Sequence, residues 1–366
     1  MRQAFAFALA CACPAAAAAG GIDQSGQPVT LLFRDGNVVE VALGYWDPDI
    51  DGTDADGRGS GNVYGPITDL FAGVKAQVTD RLSLALVADE PYGVKVDYPP
   101  DAAGGGFAYA GTRGEPESVA LTGLARYRVS ERISLHGGIR AQRLGAEVAL
   151  NGTAYGPFAG YTWTGDADWA VGAVAGASWE APAIGLRVAL TYASEIRHEL
   201  DSTETFFGDG TTEITMPQSV NLDFQTGLSA TTLLYGSVRW ADWGGWQVAP
   251  PGFSAATGEP LLSFGSDAWT YRLGIGRQLT EALSAGLEIA YETPKDTMMS
   301  PLSPYDGYTA VAIGAGYTLA SGVTLRGSVS HWFLGDADVA TTVDPRPVRF
   351  EDSQATAGQL RISFAF

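Results

Sequence analysis

The chain has 366 residues, a formal charge of −19 and a mean hydropathy of +0.03. Its 47 Gly, 9 Trp, 15 Tyr and 15 Phe, set against 17% charged residues, argue for ordered β-structure and against disorder. The acid excess disfavours nucleic-acid binding, which needs a basic patch. Beyond the N-terminus no apolar run reaches the roughly 18 residues of a membrane helix, which leaves a membrane barrel open.

Residues 1–19 read as a secretory signal peptide. Arg2 supplies the positive start, residues 4–10 open the apolar stretch, and residues 15–19 offer small side chains for cleavage. Cleavage there removes Cys11 and Cys13, so the exported protein has no disulfide to hold it and needs a large closed fold. Residues 20–37 precede the first alternating run. From there on, alternating runs meet at six short polar turns: Thr79-Asp80-Arg81, Ser130-Glu131-Arg132, Ala181-Pro182-Ala183, Ser229-Ala230-Thr231, Thr280-Glu281-Ala282 and Ala320-Ser321-Gly322. Between them lie longer stretches rich in Gly, Pro and Asp, at about 48–65, 98–114, 150–167, 200–213, 246–267, 293–306 and 335–353. Six short turns and seven long loops join fourteen strands, each of a length that can cross a bilayer. Both termini then lie on the short-turn, periplasmic side. The last run, residues 360–366, alternates strictly and ends on Phe366.

Period two assigns the faces. Ile133, Leu135 and Ile139 oppose Ser134, His136 and Arg140, and Leu287, Ile289 and Tyr291 oppose Glu288 and Glu292. The apolar set faces lipid, because an outward Arg or Lys at mid-membrane costs about 2–4 kcal/mol. Trp169, Tyr192, Trp240, Trp243, Trp269, Tyr271, Tyr291 and Tyr308 fall toward the loop ends, where an aromatic girdle belongs. The fold expected is all-β: a 14-stranded antiparallel transmembrane β-barrel over residues 38–366.

Three segments resemble the outer-membrane transporters of long-chain fatty acids and hydrocarbons, the FadL family. They are residues 21–29 with Tyr45-Trp46-Asp47-Pro48-Asp49, then Asp89-Glu90-Pro91-Tyr92-Gly93, and residues 216–225 running through to Trp240-Ala241-Asp242-Trp243. The resemblance implies a monomer with an N-terminal hatch in the lumen, here residues 20–37, shorter than usual and without the Asn-Pro-Ala signature. It also implies capture of hydrophobic molecules at the extracellular loops and their sideways release through a wall gap at a kinked third strand. The expected function is passive uptake of hydrophobic compounds, most of all long-chain fatty acids. A general diffusion porin and a structural or adhesive barrel are the rival readings. The expected surroundings are outer-membrane lipid and lipopolysaccharide, with the barrel assembly machinery acting during biogenesis.

Within that frame, Pro91, Tyr92 and Gly93 stand in the third strand, expected over residues 82–97. Pro gives the ladder no N–H and Gly marks a bulge or bend, so the wall there is either a lateral gate or an ordinary sealed bulge. Lys75, Arg140, Arg187, Arg239, Arg272, Arg326 and Arg361 fall on lumen faces. One or two of them would hold a carboxylate head group, and the rest would brace the lumen with Glu40, Asp223 and Glu288. Tyr155, Phe158, Tyr161, Trp163, Phe206 and Phe207 lie in the third and fourth loops, where they form a capture surface or pack on one another. The acidic run of residues 47–52 mimics a calcium loop, but Arg58 stands where the loop would need Glu, so a solvated loop is expected. His136, His198 and His331 are scattered, and no phosphate loop, zinc spacing or nucleotide fingerprint appears. Neither an enzyme activity nor a cofactor or metal is expected.

Overall fold

A computed structural model describes residues 22–295, 298–341 and 343–366. The expected signal peptide, with Cys11 and Cys13, lies outside the described residues. Among the described residues fourteen antiparallel strands form a closed barrel. They are β1 (Val38–Asp49), β2 (Ile67–Gln77), β3 (Leu82–Asp89), β4 (Arg113–Arg128), β5 (Ile133–Leu150), β6 (Tyr161–Ala181) and β7 (Leu186–Ala193, continuing as Ile196–Glu204). Then follow β8 (Gly208–Met216, continuing as Ser219–Ser229), β9 (Thr232–Ala241), β10 (Ala268–Gln278), β11 (Leu283–Glu292), β12 (Tyr308–Thr318), β13 (Val323–Leu334) and β14 (Gln354–Ala365). Each pairs with the next, and β1 pairs with β14 from Val38↔Ala365 to Asp49↔Gln354, so the sheet has no free edge. The expected count and closure are as found.

The short turns form for a local reason. Thr79, Ser130 and Thr280 each turn a side-chain oxygen back to accept backbone N–H groups two and three residues on, from Arg81 and Leu82, Arg132 and Ile133, and Ala282 and Leu283. Such hydroxyl-capped turns reverse the chain in few residues. The faces also follow the alternation: Leu135, Ile139, Leu273 and Leu287 are exposed, while Ser134, His136, Arg140 and Gln142 are buried in the lumen.

Three details depart from expectation. The fourth loop, expected over 200–213, is a strand hairpin with a tip of three residues, 205–207. Its pattern is inverted: Ile196, His198 and Leu200 point inward, while Arg197, Glu199 and Asp201 face out. The inversion arises at Ser194-Glu195 in β7 and Pro217-Gln218 in β8, where each strand carries one residue too many for strict alternation. Below that level the wall is apolar-out, as lipid requires. Above it β7 and β8 turn their apolar side chains inward and their charges out, while Val171 and Trp169 of the neighbouring β6 still face out. The third detail concerns the girdle. Trp169, Tyr192, Trp269, Tyr271 and Tyr291 are exposed, but Trp243, past the end of β9, and Tyr308, the first residue of β12, are buried inside.

The loops are packed into a cap. Tyr98 stacks on Phe107 and meets Tyr109 and Phe350 edge-on, and its hydroxyl donates to the Pro301 carbonyl at 2.8 Å. Burial in this cluster pushes the Tyr98, Tyr109 and Tyr155 hydroxyls far above their usual range, so they stay neutral donors.

Candidate functional site

The wall is broken beside β3. Its ladder with β2 ends at Ala72↔Ala88 and its ladder with β4 at Asp89↔Ala120, after which β4 is met by the single bridge Gly93↔Glu117 before pairing resumes at Val96↔Gly114. The third strand, expected over residues 82–97 with a kink at Pro91 and Gly93, stops at Asp89. Residues 67–71 of β2 have no β3 residue in register beside them. The Leu70 N–H there donates to the Glu90 carboxylate at 3.1 Å. Pro91 cannot give a ladder hydrogen bond, and the chain turns inward at this point.

The N-terminal segment takes the place of the missing neighbour. Gln24 N–H donates to the Pro91 carbonyl at 2.8 Å and Gly93 N–H to the Ile22 carbonyl at 2.9 Å, with Asp23 bridged to Tyr92. On the other side Ser118 Oγ accepts from Tyr92 N–H and donates to the Tyr92 carbonyl. Gly93 lets the Gln24 side chain come close: a Cβ there would sit 2.7 Å from Gln24 Nε2, which would have to move aside. Tyr92 is 2% exposed, accepts at its hydroxyl from Gln27 Nε2, and meets Trp243 edge-on at 5.8 Å. Trp243 continues to Trp246 and Phe264, so a run of rings leads from the loops to the back of the wall break.

Arg239 anchors the same segment. Its Nη2 and Nε donate to Asp23 Oδ2 at 2.6 and 3.0 Å, and Nη1 reaches Ser219 Oγ and Asn221 Oδ1 at 3.0 Å each. Nearer the short turns the segment fills the lumen. Leu31 and Leu32 are buried, Leu31 lying against the bare backbone of Gly73, and the Phe33 ring is clasped by the Arg126 and Arg187 guanidinium groups at 4.6 Å on each. The other lumen cations divide. Lys75 Nζ donates to the Gly36 carbonyl and Gln77 Oε1. Arg361 holds Glu40 at 2.7 Å, and Arg326 stands 3.9 Å from the same carboxylate. Arg140 gives its Nε to Thr122 Oγ1, but its buried Nη1 has no hydrogen-bond partner among the described residues. It lines a cavity of about 10 Å³ together with Gln27 and Tyr92.

The loop aromatics separate in the same way. Tyr161 and Trp163 belong to β6 and not to the third loop, because strand pairing there extends beyond the membrane. Tyr161 donates to Glu204 at 2.8 Å and contacts Phe253, Phe206 and Phe207, while Trp163 is buried and donates to Thr212. Tyr155 packs on Tyr109 and Phe158 on Phe253. Phe206 and Phe207 stay exposed at the hairpin tip. Sequence reasoning missed two participants. Asp23 sits outside any strand pattern, and Glu204, which accepts the N–H groups of Gly252 and Phe253 in helix α1 (Pro251–Thr257), falls in the segment first read as loop.

A closed barrel with a filled lumen, an aromatic approach from outside and a broken wall defines a membrane channel for apolar molecules rather than ions. The chain belongs to the outer membrane protein transport protein family (OMPP1/FadL/TodX), whose model matches residues 4–361, a family of outer-membrane channels for hydrophobic compounds and not of enzymes. Among solved structures it is similar to a Pseudomonas aeruginosa FadL homologue (TM-score 0.74, 17% identity, covering 93% of this chain and 92% of that one). It is also similar to the P. putida toluene transporter TodX (TM-score 0.67, 13% identity, 93% and 92%) and the Ralstonia pickettii toluene transporter TbuX (0.62, 11%, 92% and 91%). A search of curated proteins finds no match.

Proposed function

We propose that this barrel carries long-chain fatty acids passively across the outer membrane and releases them sideways through the break beside β3. The observation that carries the reading is the pairing of that break with a lumen filled by residues 22–36. A solute that reaches Tyr92 meets Leu31, Leu32 and Phe33 below it and a wall without a ladder beside it. Residues 22–36 act as the hatch, both termini face the periplasm, and the barrel works as a monomer. The exposed pair Phe206 and Phe207 is the capture point, with Tyr155, Phe158, Tyr161 and Trp163 supporting it from beneath. Lipopolysaccharide surrounds the loops, and the final strand ending on Phe366 addresses the chain to the assembly machinery.

Arg140 favours a fatty acid over a hydrocarbon, because its Nη1 is buried with no hydrogen-bond partner among the described residues and the residue lines the small cavity behind Tyr92. Arg187, Arg239, Arg326 and Lys75 brace the lumen. Arg140→Met should weaken oleate binding by about 10-fold or more, the effect of losing one hydrogen bond to a charged group, and leave toluene binding unchanged. Titration of the purified protein by intrinsic fluorescence reads both. The gate is tested by Pro91→Val with Gly93→Val, which restores a ladder donor and pushes Gln24 aside. Labelled oleate uptake should fall to near that of cells lacking the protein at equal surface level. Uptake at the normal rate would refute sideways release.

A further inference from the structure

The wall has a second interruption, between β6 and β7. The two strands pair from Val174↔Ala193 down to Ala181↔Leu186, and again from Gly165↔Ser202 to Trp163↔Glu204. Between these ladders the Ser194 N–H still donates to the Ala173 carbonyl at 2.9 Å, but residues 166–172 and 195–201 form no ladder with each other, although the register is the same above and below.

The cause is a pair of staggered bulges. In β7 the extra residue lies at Ser194-Glu195, and in β6 it lies at Asp166-Ala167, opposite Gly145 of β5. Between the two bulges the pleats are out of step. Where β6 turns Val171 and Trp169 outward, the register partners Ile196 and His198 of β7 turn inward. Strands in opposite pleat cannot exchange ladder hydrogen bonds without a slip of one residue, and the ladders at both ends forbid that slip. The interval spans about 25 Å of strand at roughly 3.3 Å per residue.

Beyond that one backbone bond, side chains lace the seam. Ala173 N–H donates to Ser194 Oγ at 2.9 Å, and Glu199 N–H donates to Asp168 Oδ2 at 3.3 Å. His198 Nδ1 lies 3.4 Å from the same carboxylate oxygen. Two glycines of β6 accept the β7 side chains: a Cβ on Gly172 would meet Ile196 Cγ1 at 2.6 Å, and one on Gly165 would meet Leu200 at 2.7 Å. Outside the seam, Val171 and Trp169 are among the most exposed apolar residues, at 66% and 56%. Inside it, the cavity lined by Gln27, Tyr92 and Arg140 has Gly172, Ser194 and Ile196 as its opposite wall.

We propose that the β6–β7 seam is a second lateral port, through which small apolar solutes pass between the lumen and the outer leaflet, with Ile196 as its plug. The inference rests on the transport reading given above. A barrel wall normally opens only by breaking a ladder of backbone bonds. Here the ladder is already missing beyond the Ser194–Ala173 bond, and moving one side chain out of the Gly172 recess joins the cavity to the lipid side of Val171. The cavity thus sits between two exits, Tyr92 at one and Ile196 at the other.

The test uses the probe N-phenyl-1-naphthylamine, whose fluorescence rises as it enters the membrane of whole cells. In the gate-sealed background of Pro91→Val with Gly93→Val, Ile196→Ala should raise the initial rate of entry about fivefold, the effect of removing about 1 kcal/mol from a barrier. In the otherwise native chain, Gly172→Cys with Ile196→Cys should slow entry once oxidised, and a reductant should restore it. That recovery, with a heat-modifiable band on gels, shows that the variant is folded. A confirmed disulfide with unchanged entry, together with no gain from Ile196→Ala, overturns the port while the gate variant still blocks oleate. If the native chain gives no more entry of oleate or probe than cells lacking it, the transport reading fails first and the port with it.

Discussion

Asp23 and Arg239 show how much one pair can decide. Both are buried, and Arg239 also satisfies Ser219 and Asn221, so the ion pair is fully hydrogen-bonded. Removing one partner strands the other charge, a change that costs about 3–5 kcal/mol in buried pairs. Asp23→Asn should therefore release residues 22–27 from Pro91–Gly93, seen as fast hydrogen exchange at Gln24 N–H, while the barrel ladders stay protected. Asp23→Leu with Arg239→Met should restore part of that protection, because no unpaired charge is left. Phe33 is held differently, by two guanidinium faces. Phe33→Ala loses two cation–π contacts worth about 0.5–2 kcal/mol each, and Arg126 keeps its ion pair with Glu180. Arg239 was legible in the sequence as a lumen cation because it sits at an inward position of a strand. Asp23 was not legible, because a segment without periodicity gives no face to its residues.

The strand is the scale at which the sequence speaks most clearly, and its failures there share a cause. Faces follow from period two as long as each strand keeps strict alternation, which is why Leu135 and His136 fall on opposite sides as expected. A single extra residue reverses every face beyond it. In β7 this turned Ile196, His198 and Leu200 inward, so a segment that alternates well no longer matched the membrane pattern and read as loop. The kink at Pro91 was visible because Pro and Gly announce themselves, whereas the bulges at Asp166-Ala167 and Ser194-Glu195 use ordinary residues. Helix α1 depends on one contact from this misread hairpin, since the Glu204 carboxylate accepts both of its first N–H groups. Glu204→Ala should weaken it by about 1.5–3 kcal/mol. Limited proteolysis would then cut within Pro251–Thr257 at a protease level that leaves the native loop whole.

As a whole the molecule is a barrel whose lumen is filled. Residues 22–36 fill one end of the lumen and the loop cap covers the other. In a planar bilayer the intact protein should be almost silent at potentials where a general porin conducts steadily. A chain that begins at residue 37 should conduct, since its lumen retains inward-facing Lys75, Arg140, Arg187 and Arg361 with the bracing segment gone. Steady conductance by the intact protein would favour the porin reading. The strand count and closure were legible from turns and loops, because those depend on local chemistry that each segment carries for itself. A lumen hatch was expected from the resemblance, but the contacts that hold it were not legible, because they join residues such as Asp23 and Arg239 that lie on either side of most of the barrel.

The closing seam brings the chain ends together: Phe366 N–H donates to the Asn37 carbonyl at 3.0 Å, just where residues 22–36 depart into the lumen. In connectivity as well as in shape the wall is a ring, and its first strand is first by convention alone. Chains whose ends lie side by side tolerate relocation of those ends. Joining Phe366 to residue 22 by a Gly/Ser linker long enough to run back through the lumen, and opening the chain at Asp80, should give a permuted barrel in which the plug is a loop tethered at both sides. Such a tether limits how far the plug can withdraw without altering any contact it makes when seated. The permuted barrel thereby separates a plug that must leave from one that needs only to shift.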